Sequence, residues 1–364
     1  QQRQYREAIN LARACGDPDL ECDATASLGM MLVFSGRTED GMAHLDEALA
    51  AICGGDVAEL PVLEGCLCGM LTACERTHDL TRADQWLRAA HAVMKRHNLV
   101  SVAGYCRAHY AGILIAAGRW DDAEDELTAV LDQLSDGVGV SASAKCRLAA
   151  LRIRQGRLED AEDLLAGLDA HPDHALAASL LFVAQRRPQP AIELLERVTT
   201  IDLPDSHAAP LLAVLVEAYM SYDDLGEAAR VTGRLVALSK DQSSVFVAGL
   251  AAAAQARVAT ALGALDEGRT RWHQAISLFQ ESGQTVDTAL ARVQLAGLIA
   301  EDRPDAATAE LETAHATLER AGARRAADEA ASLLRKLGAT PKTGPKQLTT
   351  LTRREAEVLE LLPH

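Results

Sequence analysis

Acidic residues cluster twice in this chain, as Asp121-Asp122-Ala123-Glu124-Asp125 and as Glu159-Asp160-Ala161-Glu162-Asp163. Carboxylates packed this densely can hold a cation, or pass protons as an acid and base pair. Two histidines stand three apart in His171-Pro172-Asp173-His174, which could begin a metal site. Eight cysteines (Cys15, Cys22, Cys53, Cys66, Cys68, Cys74, Cys106 and Cys146) all lie in the first 146 residues, with no Cys-x-x-Cys among them. Neither His-Glu-x-x-His nor Gly-x-Ser-x-Gly occurs. The nearest string to a P-loop, Gly338 to Lys346, has the wrong spacing and prolines where a phosphate cradle needs free N–H groups. Each acidic run follows a glycine at a place where a helix should start, and there negative charge complements the helix dipole. The histidines fall in a turn. The cysteines are expected to be small apolar core residues in a reducing cytosol, with Cys66 and Cys68 projecting from different sides of one helix. No catalytic, metal or cofactor site is expected, and the chain does not read as an enzyme.

The elements that carry these residues repeat. Gly118-Arg119-Trp120-Asp121-Asp122-Ala123 returns as Gly156-Arg157-Leu158-Glu159-Asp160-Ala161, with a weaker copy at Gly36-Arg37-Thr38-Glu39-Asp40-Gly41. Each copy reads as a helix end released by glycine, a short turn, and a second helix opening on acids. The small residue after the turn recurs as Gly41, Ala83, Ala123, Ala161, Ala191, Ala228, Gly268 and Ala307, at spacings of 42, 40, 38, 30, 37, 40 and 39. Four positions later stands Leu45, Leu87, Leu127, Leu165, Leu195, Trp272 or Leu311, with Thr232 as the exception, and a further apolar residue follows three positions on. This is the stripe of an amphipathic helix. Pairs of helices are expected at 20–53, 60–97, 101–135, 141–170, 173–199, 206–239, 244–282 and 285–321. A last helix of an incomplete unit precedes them at 5–15, and a closing helix follows from Arg324 to Leu337. The fifth turn, Arg187-Pro188-Gln189-Pro190, lacks the glycine, and a local irregularity is expected there.

Over residues 20–322 the pattern resembles the tetratricopeptide repeat family. Leu71, Val216 and Leu295 stand where that family usually has a small residue, and the period near 40 exceeds its usual value of about 34. Both departures fit the degenerate repeats of large bacterial regulators. The resemblance implies an all-α fold, a tetratricopeptide-like superhelix of about eight antiparallel helix pairs plus the closing helix, occupying 1–339. It also implies a concave face lined by the first helix of each pair. The family register puts Glu75, Arg76, Tyr105, Arg154, Glu217, Arg257 and Arg292 on or near that face, with His109 and Arg152 close by. Arginine can hold a carboxylate or phosphate in a two-pronged grip, and tyrosine can stack or donate. A small-molecule effector or a protein partner is the expected occupant of such a groove.

The tail differs in character. Residues 340–347 contain two prolines, Gly344, Lys342 and Lys346, and read as a linker. In 348–364, Thr352 and Glu355 form a capping box, and Val358, Leu359 and Leu362 supply an apolar face. The run Leu351-Thr352-Arg353-Arg354-Glu355 followed by Val358-Leu359-Glu360-Leu361-Leu362 resembles the first helix of a LuxR-type helix-turn-helix domain. This resemblance, to the large MalT-like class, implies a sensor segment of a transcriptional regulator. Promoter DNA would be bound only through a C-terminal domain whose recognition helix lies beyond this sequence, and a homodimer is compatible with the class. The chain starts Gln-Gln-Arg-Gln without Met and is expected to be a piece of a longer protein. A scaffold with a peptide groove and no transcriptional role is the alternative. The net charge of −16, from 36 basic and 52 acidic residues, opposes direct contact of this segment with nucleic-acid phosphates. Aromatics are only 3% of a chain that is 48% hydrophobic, so Ala and Leu must carry the packing. No apolar run is long enough to span a membrane and no signal-peptide pattern is present, so the cytoplasm is the expected location.

Overall fold

The computed structural model describes residues 2–57, 59–77, 79–96, 104–133, 138–200, 205–241 and 244–339. The expected linker 340–347 and tail 348–364 lie outside these residues. Among the described residues there are eighteen helices and no strands. Helix α1 (Gln2–Cys15) is followed by eight antiparallel pairs. They are α2 (Pro18–Phe34) with α3 (Thr38–Gly54), α4 (Leu60–Thr77) with α5 (Leu80–Arg96), α6 (Gly104–Ala116) with α7 (Trp120–Gln133), and α8 (Val138–Gln155) with α9 (Leu158–Leu165). Then come α10 (His174–Ala184) with α11 (Pro188–Thr199), α12 (Asp205–Ser221) with α13 (Leu225–Asp241), α14 (Val245–Ala261) with α15 (Leu265–Glu281), and α16 (Thr285–Ile299) with α17 (Pro304–Ala321). Helix α18 (Arg324–Lys336) closes the array. The expected eight pairs and closing helix are present as a helical-repeat superhelix.

The repeated turn works as its sequence requires. Gly118 adopts φ +78°, its N–H donates to Ile115 O, and the N–H of Arg119 reaches back to Leu114 O at 2.9 Å. That conformation suits glycine and closes the last turn of the first helix. Where glycine is missing, Arg186 (φ 60°) and Asp223 (φ 65°) take its place in the left-handed region. The irregularity expected at the fifth unit begins one helix earlier. Helix α9 ends at Leu165, the chain bends through Gly167, and α9, α10 and α11 are 8, 11 and 12 residues long.

The small residues after the turns are fully buried at Ala83, Ala123, Ala161, Ala191, Ala228 and Ala307, and so are the leucines behind them at Leu45, Leu127 and Leu195. Each such leucine contributes roughly 1.5–3 kcal/mol of burial. Thr232, which breaks the apolar stripe, is buried too, and its hydroxyl donates to Ala228 O at 2.8 Å.

The cysteine expectation needs one correction. Cys68 on α4 and Cys106 on α6 form a disulfide, so these two are not merely packing residues. They meet because the first helices of successive units lie side by side. Cys66 faces the other way, 3.8 Å from Cys22 on α2.

The array coils far enough to meet itself. The turn after α6 rests on the start of α16, where a Cβ at Gly118 would lie 3.4 Å from Thr285 Cβ. The turn after α8 rests on the start of α18, where a Cβ at Gly156 would lie 3.8 Å from Arg325 Cβ. Arg154 at the end of α8 pairs with Asp287 on α16 at 2.6 Å. The two turn contacts join units five apart and the Arg154–Asp287 pair joins units four apart, so the second superhelical turn stacks on the first along a seam. One buried apolar cluster includes residues of the first four units and of the last units. No described helix is long and apolar enough to cross a membrane.

Candidate functional site

The first helices α4, α6 and α8 lie in sequence along the inner layer, and their polar residues converge. Glu75 on α4 accepts from His109 Nδ1 on α6 at 2.6 Å, and from Arg147 on α8 through both terminal guanidinium nitrogens, the second at 3.3 Å. Gly112 on α6 makes room for this, because a Cβ there would occupy the space of the Glu75–Arg147 pair. A carboxylate on one unit thereby reaches an arginine two units away. Burial by itself would raise the Glu75 pKa, but the charge of Arg147 and the contacts of His109 hold it down to about 2.

The other expected groove residues are also engaged. Glu217 and Arg257 pair across α12 and α14 at 2.5 Å, with the guanidinium 5.5 Å above the Trp272 ring. Arg154 serves the seam. Arg152 is buried between α7 and α8, where it donates to both oxygens of Glu124 and to Gln155. Burial opposes ionisation of Glu124, and hydrogen bonds from Arg152 and Gln155 reverse it, leaving its pKa below the ordinary value. Arg292 pairs with Glu310 on α17. Tyr105 lies on α6, and its side chain is outside the described residues. Glu75 with His109, and Glu217 with Arg257, are therefore brought together, while Arg152, Arg154 and Arg292 go to separate partners.

Arg147 was not among the residues expected on this face. Its signal was present in the sequence, since it stands 38 residues after His109, at the same place relative to the next turn. The turn histidines hold local structure. His171 Nδ1 accepts from the Asp173 N–H at 3.3 Å, and His174 is 3.8 Å from Asp169. Among the described residues no group of three or more His, Cys, Asp or Glu could hold a metal ion.

Arg76 occupies a different setting. Its guanidinium lies 4.9 Å above the Phe34 ring, at the wall of a cavity of about 920 Å³ on the seam. The ends of α2 and α4 and the turn after α2 form one side, with Val33, Phe34, Arg37 and Arg76, and the start of α14 with the end of α15 forms the other, with Ser244, Phe246 and Glu281. The cavity thus has apolar walls, two guanidinium groups, and the carboxylates of Glu39, Asp40 and Glu281.

The seam that frames this cavity rests partly on the Arg154–Asp287 pair, whose side chains are 31% and 18% exposed. Asp287→Ala is expected to lower global stability by only about 1 kcal/mol. Amide exchange at the start of α16 should rise several-fold relative to the middle of α12. Unchanged exchange there would show that other contacts hold the seam.

No family model matches this chain, and no curated protein does. Solved structures match in fold. A Rap protein complexed with Competence and Sporulation Factor is 11% identical, with a TM-score of 0.54 over 87% of this chain and 97% of that one. A tetratricopeptide repeat protein from Parabacteroides merdae is 12% identical, with a TM-score of 0.44 over 72% and 98%. The human IFIT1 dimer with PPP-AAAA is 12% identical, with a TM-score of 0.45 over 93% and 80%. At this identity the likeness concerns the fold alone, and the chain is a tetratricopeptide-like helical-repeat superhelix.

Proposed function

We propose that this chain is a non-catalytic interaction scaffold that holds a segment of a partner protein. The observation that carries the reading is the 920 Å³ cavity at the seam, which two superhelical turns build together. Its mixture of aromatic wall, guanidinium and carboxylate suits a peptide, which brings apolar side chains together with N–H and C=O groups. Arg76 is the residue common to the sequence expectation and the cavity. Among the solved structures of like fold, the Rap protein is itself complexed with a factor. The test is to select binders from a random peptide display library on the protein and measure their affinities by calorimetry. Arg76→Ala combined with Phe246→Ala should weaken the selected peptides at least tenfold. Peptides that bind the double variant as tightly as the wild type would remove the cavity from the reading.

A second reading rests on the sequence of Leu351 to Leu362, with its likeness to a LuxR-type first helix. In it the superhelix receives a small-molecule or protein signal and passes it to a DNA-binding domain. A signal acts by favouring one conformation or assembly over another. A chain extended by the gene's sequence beyond residue 364 should then bind duplex DNA with a steep salt dependence, and residues 1–364 should not. Equal DNA binding by both would sink this reading.

A further inference from the structure

The turn edges of the units are not alike. In units 1, 3, 4 and 5 the turn residue is followed by arginine (Arg37, Arg119, Arg157 and Arg187), and the residue before it is small or polar (Ser35, Ala117, Gln155 and Gln185). Arg37, Arg119 and Arg157 each pair with an acid in the first turn of the helix they precede, namely Asp40, Asp122 and Asp160. The edges of units 3 and 4 are covered by the starts of α16 and α18. Units 6 and 7 depart from this pattern together. Tyr222 and Leu262 replace the small or polar residue, and Asp224 and Ala264 replace the arginine. Tyr222, Leu262 and Leu265 are 54%, 63% and 44% exposed. Residues 221–227 and 261–267 hold five acids (Asp223, Asp224, Glu227, Asp266 and Glu267) and no lysine or arginine. Arg230, Arg269 and Arg271 reach Glu227, Asp266 and Glu267, yet Asp266 and Glu267 remain 98% and 57% exposed. Large apolar side chains ringed by acid at two successive turns are a surface without a covering partner in this chain's own described fold.

We infer that the edge of units 6 and 7 docks a basic amphipathic helix of a partner protein. The inference rests on the scaffold reading for the class of partner, but not on the cavity. Helices α12 and α14 pack side by side, and packed helices lie about 8–10 Å apart. Apolar anchors at i and i+7 of a helix are about 10.5 Å apart, so one such helix can place one anchor on Tyr222 and the next on Leu262 and Leu265. Its basic face meets the five carboxylates, which set orientation and speed encounter. At the opposite edge of a second copy Leu20 is flanked by Asp17, Asp19 and Glu21, where like charges would meet, while the exposed Leu11 lies on α1 with Arg6 and Arg13, so the oligomeric state is read alongside the binding.

The test uses the full chain and a fluorescent 18-residue Lys/Leu helix with leucines at i, i+3, i+4 and i+7, followed by anisotropy near physiological salt. The triple variant Tyr222→Ser, Leu262→Ser and Leu265→Ser leaves net charge unchanged and touches only exposed positions. It should bind the probe at least tenfold more weakly, while Arg76→Ala with Phe246→Ala should bind it as the wild type does. Equal binding by the triple variant would overturn the edge, since general attraction to an acidic protein would then explain the affinity. Loss in the cavity variant alone would also overturn the edge and leave the scaffold reading standing. A wild-type dimer in sedimentation that the triple variant abolishes would assign the edge to a second copy. Tighter probe binding after Lys342→Glu and Lys346→Glu in the wild type, with no such gain in the triple variant, would assign it to the chain's own tail. Either assignment overturns the inference.

Discussion

Gly41→Ala should destabilise the protein by about 3 kcal/mol, although alanine is what six of the other units carry at that position. The reason is local to the first unit. Gly29 on α2 and Gly41 on α3 face each other, so their backbones approach more closely than elsewhere. A Cβ at Gly41 would lie 2.5 Å from Gly29 O and 2.7 Å from the Val33 backbone N. Neither atom can move without parting the two helices, which would loosen the packing of Leu45 and Leu49, both at most 1% exposed. The helix propensity gained on replacing glycine returns only about 1 kcal/mol. Gly268 occupies the same place in unit 7, but its nearest neighbour is the Thr260 hydroxyl at 2.6 Å, a side-chain atom, with Leu298 Cδ2 at 3.3 Å. Gly268→Ala should therefore change stability by less than about 1 kcal/mol, the propensity gain offsetting the adjustment of Thr260. Repeat arrays can lose units separately, so the measurement should combine urea unfolding with amide exchange resolved to α2 and α3. Similar small losses at both positions would show that the backbone contact in unit 1 is not made.

The contrast between Gly41 and Gly268 shows which parts of the fold could be read in advance. The helix pairs were legible because their signals are local. Glycine at positive φ, acids at helix starts and a stripe at i, i+4 and i+7 all act within one unit. The coiling of the array onto itself was not legible. Gly118 meets Thr285 only because many small inter-unit rotations accumulate, and no residue pattern near either position reports it. The inner-face residues were legible as a set of places but not as pairs. Register put Glu75, His109, Glu217 and Arg257 on first helices, yet it could not say that Gly112 opens a path from Glu75 to Arg147. The disulfide was missed for the same reason. Cys68 and Cys106 lie 38 residues apart, close to one repeat, and that spacing puts equivalent faces of adjacent helices side by side.

The three-unit cluster around Glu75 gives the second large effect. At pH 7 Glu75→Gln should cost about 3 kcal/mol, because Arg147 and His109 lose the carboxylate that satisfies them. The depressed pKa of Glu75 leads to a similar magnitude. The folded pKa of about 2 lies below the ordinary 4.5, a difference worth about 3 kcal/mol at roughly 1.4 kcal/mol per pH unit. The Glu75 side chain is 24% exposed, so solvent screening trims that figure without abolishing it. A depressed carboxylate stabilises the fold above the unfolded pKa, and the contribution is lost as pH falls through the folded one. The loss should therefore begin near pH 4.5 and be nearly complete at pH 2. Other carboxylates titrate over the same range in both proteins, so the informative quantity is the difference between wild type and Glu75→Gln in urea unfolding. That difference should be about 3 kcal/mol from pH 7 down to pH 5 and shrink steadily toward pH 2, where the folded wild-type carboxyl is about half protonated and only about 0.4 kcal/mol of the difference remains. A difference that stayed constant from pH 5 to pH 2 would mean that the glutamine disturbs packing beside Gly112, and that the charge on Glu75 does not hold α4, α6 and α8 together.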